Sequence, residues 1–192
     1  MKILLVGGLG FIGKHIIRAI SESRNLVVLS NAEALTRNQA FVKASGLCAE
    51  AGDITDGARV KEVMLKEKPD AVIHLAALTG ISKCDENPSL AFSINVLGTY
   101  NVIMGCVASK SKLVFISSRE VYGETTSDQT REDDPLVPNN IYGVTKLLGE
   151  RLTIWAASRY GLDYTILRLT NVYGPEGDQY NVQAIIKKAL AE

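Results

Sequence analysis

Neither sign of charge is in excess in this 192-residue chain: 21 Lys and Arg stand against 21 Asp and Glu, so the formal net charge is zero. With no basic block and no Arg/Lys-rich stripe, the composition argues against a nucleic-acid or membrane-surface binder. Cysteine is scarce as well. Cys48, Cys84 and Cys106 are odd in number, far apart and without a C-x-x-C pair. This speaks against the usual zinc and dithiol patterns and fits a reducing, cytoplasmic setting. The opening MKILLVGG has an apolar run too short to span a bilayer and no small-residue cleavage pattern, so it reads as a strand rather than a targeting segment. Internal repeats, low-complexity tracts and domain linkers are also missing. At 46% hydrophobic and 22% charged, the chain has the composition of an ordinary globular domain with a sizeable core, and any ligand must be sought in local sites.

What is present is alternation. Short β-branched apolar runs predict strands over Lys2–Val6, Leu26–Leu29, Leu47–Ala49, Ala71–His74, Leu113–Ser117 and Tyr164–Arg168. Segments of helical period predict helices over Phe11–Ser21, Gly57–Lys66, Pro88–Ser109, Ile141–Tyr160 and Val182–Ala191. Asn87-Pro88 reads as an N-cap followed by proline at the first helical position, and Pro138 to Asn140 starts the next helix in a similar way. Strands alternating with helices give an α/β fold: a doubly wound parallel sheet covered by helices. One connection is long. SREVYGETTSDQTREDDPLVPN, between the fifth strand and the helix at Ile141, exceeds the 12–15 residues or so beyond which loops are usually functional or disordered.

The first chemical motif is GGLGFIG, with Gly7, Gly10 and Gly13 directly after the first strand and leading into a helix. Glycines let the backbone turn tightly and approach a pyrophosphate, whose charge meets the free N–H groups of the helix N-terminus. Dinucleotide sites often place Asp or Glu at the end of the second strand for the adenosine ribose. Here Ser30 and Asn31 occupy that place. Their neutrality, with Arg37 nearby, leaves NADP open beside NAD; Arg37 also reads simply as part of a solvated helix face.

A further motif, YGVTK, puts Tyr142 and Lys146 at i and i+4 of a helix, where they share one face a turn apart. Alone it would pass for surface chemistry. Taken in order, however, GGLGFIG, GDITD (Gly52–Asp56), HLAA (His74–Ala77), NVLGTYNV (Asn95–Val102), FISSREVYGE (Phe115–Glu124), YGVTK and RLTNVYGP (Arg168–Pro175) span nearly the whole chain. This ordered set resembles the extended short-chain dehydrogenases/reductases, in the NAD-dependent epimerase/dehydratase group that acts on nucleotide sugars.

The resemblance implies a Rossmann fold and assigns roles to individual positions. Gly7, Gly10, Phe11, Ile12 and Gly13 would hold the cofactor pyrophosphate, and Ser30 and Asn31 the adenosine ribose. Asp53 and Ile54 would meet adenine, while Leu75, Ala76 and Ala77 would line the channel to the nicotinamide. Asn95 would brace the long helix and the water beside the lysine. Each has a plainer reading: a turn or N-cap for Asp53, packing for the alanines, helix polarity for Asn95. The implied catalytic set is Ser118, Tyr142 and Lys146, with Tyr142 and Lys146 also touching the cofactor. Ser118, Arg119, Glu120 and Asn171 would meet the substrate. No metal is implied.

A free tyrosine has a pKa near 10, so action as a base at neutral pH needs a shift of about 3 units, roughly 4 kcal/mol. The Lys146 ammonium and an oxidised nicotinamide could each supply part of that. Tyr142 would take the proton of a sugar hydroxyl while hydride leaves the same carbon, and an epimerase would return the hydride to the other face. In related sugar dehydratases an acid stands two residues after the catalytic Ser/Thr, here Glu120, but the residue between is Arg119, which at neutral pH is neither acid nor base. A UDP-glucose 4-epimerase-like activity therefore ranks above a dehydratase. Glu120 also reads as a partner of Arg119 or a loop cap.

SKCDENPSLAFSINVLGT (Ser82–Thr99) is reminiscent of the dTDP-4-dehydrorhamnose reductase branch, which keeps a reductase as an alternative. A non-catalytic cofactor-binding module is the alternative of another class. Cys84 reads as a packing residue and His74 as a structural histidine. Family members continue well beyond NVYGP, so residues 1–192 are expected to be the N-terminal, cofactor-binding domain of a longer enzyme that lacks its substrate domain here. Family members also pair through the two long helices, and the small residues of WAAS (Trp155–Ser158) suit a homodimer.

Overall fold

The computed structural model describes residues 1–20, 25–124 and 129–175. Six strands, β1 (Ile3–Val6), β2 (Leu26–Ser30), β3 (Cys48–Ala51), β4 (Ala71–His74), β5 (Lys112–Ser118) and β6 (Tyr164–Leu169), form one sheet in the order β3-β2-β1-β4-β5-β6. Every pairing is parallel. The central strands are apolar throughout because helices cover both faces, and the period-2 alternation divides their side chains between two cores. Leu5, Leu26 and Val28 join Ile17 of α1 (Phe11–Ile20), with Phe41 and Val42 packed alongside. Leu4, Val6, Val27 and Leu29 face the other way. They meet Val60, Val63 and Met64 of α4 (Gly57–Glu67) and residues of the helices beyond it.

The predicted strands all form, each within two residues of its expected end. The helices differ more. α2 (Ala32–Arg37), α3 (Gln39–Ala44) and α5 (Ile81–Glu86) were not expected, because six residues are too few to show a helical period. The expected helix Pro88–Ser109 is α6 (Pro88–Ala91), a π-helical stretch (Phe92–Gly98) and α7 (Thr99–Ser109). Ile54 packs so closely at Gly98 that a Cβ there would lie 2.6 Å from the Ile54 Cδ1. Although this segment has the length and hydropathy to cross a bilayer, Val102, Ile103 and Cys106 are spent on the core against α4. Pro88 does occupy the helix start, but Asn87 makes no side-chain cap; its amide donates back to Lys83 O at 3.4 Å. At α8 (Ile141–Tyr160) the cap is real: Asn140 Oδ1 accepts from Gly143 N at 2.8 Å. The helix expected at Val182–Ala191, and Ser21 at the end of the first, lie outside the described residues.

β1 sends its chain towards β2 on one side, while β4 continues the sheet on the other. Their carboxyl ends therefore border a crevice at the point where the strand order reverses, the place where doubly wound sheets bind ligands.

Candidate active site

A cavity of about 930 Å³ opens along that crevice, from the glycine turn and α2 at one end to β5, α8 and the chain after β6 at the other. Gly7 turns the chain with a φ of 80°, and a Cβ there would meet the Ala76 backbone at 2.6 Å. Gly13 lies against Gly8, whose carbonyl oxygen would be 2.2 Å from an added Cβ. Gly10 is different: a Cβ there would meet nothing nearer than Gly7 O at 3.6 Å. Its openness leaves room for a ligand to approach the start of α1, where Phe11 and Ile12 also line the cavity.

At the end of β2 Ser30 is buried, and its Oγ has no hydrogen-bond partner among the described residues. A buried hydroxyl without a partner is costly, and it points to a polar group of a ligand. Asn31 caps α2 through Ala34 N at 2.9 Å. Arg37 pairs with Glu33 at 2.8 Å on the exposed rim. That carboxylate makes the rim mixed in charge, less suited to a 2′-phosphate than Arg37 alone would suggest. Asp53 lines the cavity and also makes the plainer turn, its Oδ1 accepting from Thr55 N at 2.8 Å and Thr55 Oγ1 at 2.7 Å. Ile54 touches the cavity from a nearly buried position.

After β4, Leu75 N and Ala76 N both donate to Val6 O, which draws the Leu75–Ala77 segment across the end of β1. Asn95, 1% exposed, fixes the next residue twice: Oδ1 accepts from Leu78 N at 2.7 Å and Nδ2 donates to Leu78 O at 3.0 Å. The same amide donates to Thr145 Oγ1 at 3.1 Å. One buried side chain in the π-helical stretch thus ties the cavity wall to the residue beside Lys146.

Ser118 ends β5 and caps the 3₁₀ turn Arg119–Val121, its Oγ accepting from Glu120 N at 3.2 Å. Tyr142 and Lys146 lie in the first two turns of α8, and all three side chains line the same end of the cavity. Lys146 is 4% exposed, with Nζ 4.8 Å from the centre of the Phe115 ring. Burial lowers its pKa to about 8, against the opposing pull of Glu150. His74, fully enclosed and bonded to Thr99 at 3.0 Å, is pushed down to about 3 by burial and the Lys146 charge, so it is neutral. Cys84 is buried and its thiol pKa raised, chiefly by burial. Arg119 and Glu120 also face the cavity; they approach to 3.5 Å, and Glu120 accepts from Asn140 Nδ2 at 3.0 Å. Asn171 lines the cavity beyond β6.

Because the unfolded chain holds the Lys146 proton more tightly than the folded one, burying the ammonium costs stability at every pH below about 8, and the cost fades as pH rises towards 10.5. Lys146→Met is accordingly expected to stabilise the fold near neutral pH by on the order of 1–3 kcal/mol. Denaturant unfolding at pH 7 measures this, and a loss of stability would contradict it.

A charged cluster beside the site was not anticipated. Glu150, 1% exposed, accepts from Arg168 Nε and Nη2, both at 2.9 Å, and from Ser117 Oγ at 2.6 Å. Arg168 Nη1 reaches Tyr122 Oη at 2.7 Å. The available signals were Glu150 one turn past Lys146 and a lone Arg within the apolar strand YTILRL. Among the described residues there is no group of His, Cys, Asp or Glu suited to a metal.

The fold and this cavity define a class, the dinucleotide-binding doubly wound domains, with a Ser, a Tyr and a Lys gathered at the far end. Within that class the chain belongs to the NAD dependent epimerase/dehydratase family, whose profile matches residues 3–192. It is 35% identical over 179 residues to the UDP-glucose 4-epimerase of Lactobacillus helveticus, covering 93% of this chain and 54% of that one. Among solved structures, the UDP-glucose 4-epimerase of Brucella ovis in complex with NAD superposes with a TM-score of 0.78 at 33% identity, covering 88% of this chain and 52% of that one. The Thermotoga maritima UDP-glucose 4-epimerase with UDP-glucose gives 0.84 at 28% identity, covering 98% and 62%. The chain thus spans about half the length of the curated relatives it matches.

Proposed function

We propose that residues 1–192 are the NAD-binding and proton-transferring domain of a nucleotide-sugar 4-epimerase of the UDP-glucose type. The observation that carries this reading is the convergence of Ser118, Tyr142 and Lys146 on the same cavity that begins at the glycine turn. The residues fit a dinucleotide: Gly10 leaves a cradle, the Ser30 hydroxyl lacks a partner among the described residues, and a helix N-terminus faces the space. Gly7, Gly10, Phe11, Ile12 and Gly13 would hold the pyrophosphate, Ser30 and Asn31 the adenosine ribose. Asp53 and Ile54 would meet adenine, and Leu75 to Ala77 with Asn95 behind them would shape the channel towards Tyr142 and Lys146. When bound, NAD supplies hydride acceptance and return, so that inversion carries no net redox change.

The chain's own residues supply the proton work. Tyr142 takes the sugar C4 hydroxyl proton, and Ser118 hydrogen-bonds that oxygen as it becomes a carbonyl. Lys146, kept dry by Phe115, presents a poorly solvated cation that favours the phenolate. Arg119 and Glu120 flank the sugar end, where Arg119 offers neither an acid nor a base for dehydration; Asn171 would meet the substrate phosphates. The remaining sugar contacts would come from the part of the protein that the relatives have beyond the matched half. The Leu90, Leu97, Tyr100, Leu148 and Trp155 side chains are large, apolar and exposed on the long helices, which supports a homodimer through those faces. Three free cysteines suit the reducing, cytoplasmic setting of this reading.

The test incubates the whole protein with UDP-galactose, UDP-glucose and the GDP and dTDP sugars, with NAD or NADP, following product configuration and nicotinamide absorbance. Inversion without net cofactor consumption is expected. Stoichiometric oxidation of reduced cofactor would instead identify a reductase, and cofactor binding without turnover a regulatory module.

A further inference from the structure

Three elements carry the proposed catalytic and substrate residues at this end of the cavity, and one buried carboxylate touches or belongs to all three. Ser118 ends β5, Tyr142 and Lys146 are on α8, and β6 leads directly to Asn171. Glu150 is on α8, one turn beyond Lys146 on the same buried face. Its Oε1 accepts from Ser117, the neighbour of Ser118, at 2.6 Å, and both its oxygens accept from Arg168 of β6 at 2.9 Å in a bidentate grip. Arg168 is anchored in turn by Tyr122 at 2.7 Å and by Glu132 O at 2.8 Å. A fold that needed only stability at this seam could fill it with apolar side chains, because replacing a buried ion pair by well-packed apolar residues is often neutral or stabilising.

We propose that Glu150, clamped by Arg168 and Ser117, is a positioning residue of this active site: it holds the end of β5 against α8 and fixes the charge around Lys146. The proposal rests on the reading of Lys146 as the cation beside Tyr142. The groups facing Lys146 from the elements packed on its helix leave Glu150 as the carboxylate that acts on it. His74 at the end of β4 is neutral, and burial keeps the Cys84 thiol of α5 protonated. Asp85 of α5 is engaged with Ile141 N at 3.0 Å, and Glu120 with Asn140 and Arg119. Tyr142 shares the helix, and Arg168 stands behind Glu150. Removing the Glu150 charge would leave Lys146 beside the Arg168 cation alone; removing the Arg168 charge would leave it beside the anion alone. The two changes act with opposite sign.

The test reads Lys146 itself. In cofactor-free protein labelled with ¹³C-lysine, the Lys146 signal, assigned by its loss in Lys146→Met, is titrated by NMR. Glu150→Gln, which keeps the shape and an acceptor for Ser117, is expected to lower the titration midpoint by about one pH unit, and Arg168→Gln to raise it. The double variant removes both charges and is expected to return the midpoint towards that of the parent, which keeps the test decisive if Arg168→Gln alone does not fold. A Lys146 midpoint that stays put in Glu150→Gln overturns the proposal. In the whole enzyme, Glu150→Gln is further expected to lower kcat with little change in KM and to move the alkaline limb of the pH–rate profile downward. A uniform loss at all pH values would mark a merely structural residue and overturn the proposal. If the midpoints move as expected but the parent protein turns over no sugar, the charge link stands and the epimerase reading falls.

Discussion

Tyr142→Phe in the whole enzyme is expected to lower kcat by about 10²–10⁴-fold, the usual contribution of a positioned proton-transfer group. Tyr142 is half-buried at the start of α8, which Asn140 caps, and the helix is held to the Leu75–Ala77 side of the cavity through Asn95 and Thr145. Those anchors of the helix remain in Tyr142→Phe, so NAD affinity and melting temperature are expected to change far less than the rate. Stopped-time product analysis, calorimetric NAD titration and thermal unfolding measure the three quantities separately. If the rate stays within a few-fold of the parent's, Tyr142 is not the base, whatever becomes of the other two.

The second large effect separates two glycines three residues apart. At Gly13 an added Cβ would lie 2.2 Å from Gly8 O and 2.5 Å from Gly8 C, both backbone atoms with no rotamer to yield. Gly13→Ala is expected to lose about 1–3 kcal/mol of stability or more, as overpacking does, and NAD binding with it. At Gly10 the nearest atom would be 3.6 Å away and the added methyl would face the cavity. Gly10→Ala is expected to leave stability within about 0.5 kcal/mol of the parent. Its NAD affinity is expected to fall by roughly 10–100-fold, because a methyl group would stand where the proposed site receives the pyrophosphate. Equal loss of stability in the two variants, or unchanged NAD affinity in Gly10→Ala, would show that the turn is not the pyrophosphate cradle.

The legible part of the site was the part encoded locally. GGLGFIG could be read because tight turning, close approach and a helix start all fall within seven residues. YGVTK could be read because helical geometry alone puts Tyr142 and Lys146 on one face. Asp56 as the N-cap of α4 and the π-helical turn within Phe92–Gly98 were less visible, since both depend on what the neighbouring segments offer. Arg37 illustrates the limit from the other side: its nearness in sequence to Ser30 suggested a phosphate ligand, but Glu33, one turn back on the same short helix, takes its guanidinium.

By itself the sequence determined the alternation of strands and helices, the doubly wound sheet, and the groups proposed to handle pyrophosphate and proton. These follow from short-range rules: side-chain period, glycine conformation and i,i+4 spacing. Tertiary structure alone decided that Asn95 would hold Leu78 and Thr145 together, that the Ser30 hydroxyl would be buried without a partner among the described residues, and that Glu150 would join Ser117 and Arg168. Those contacts connect residues 17 to 50 positions apart. Their energies depend on burial, and burial of a polar group has no local signature; it is created only when the elements close over it.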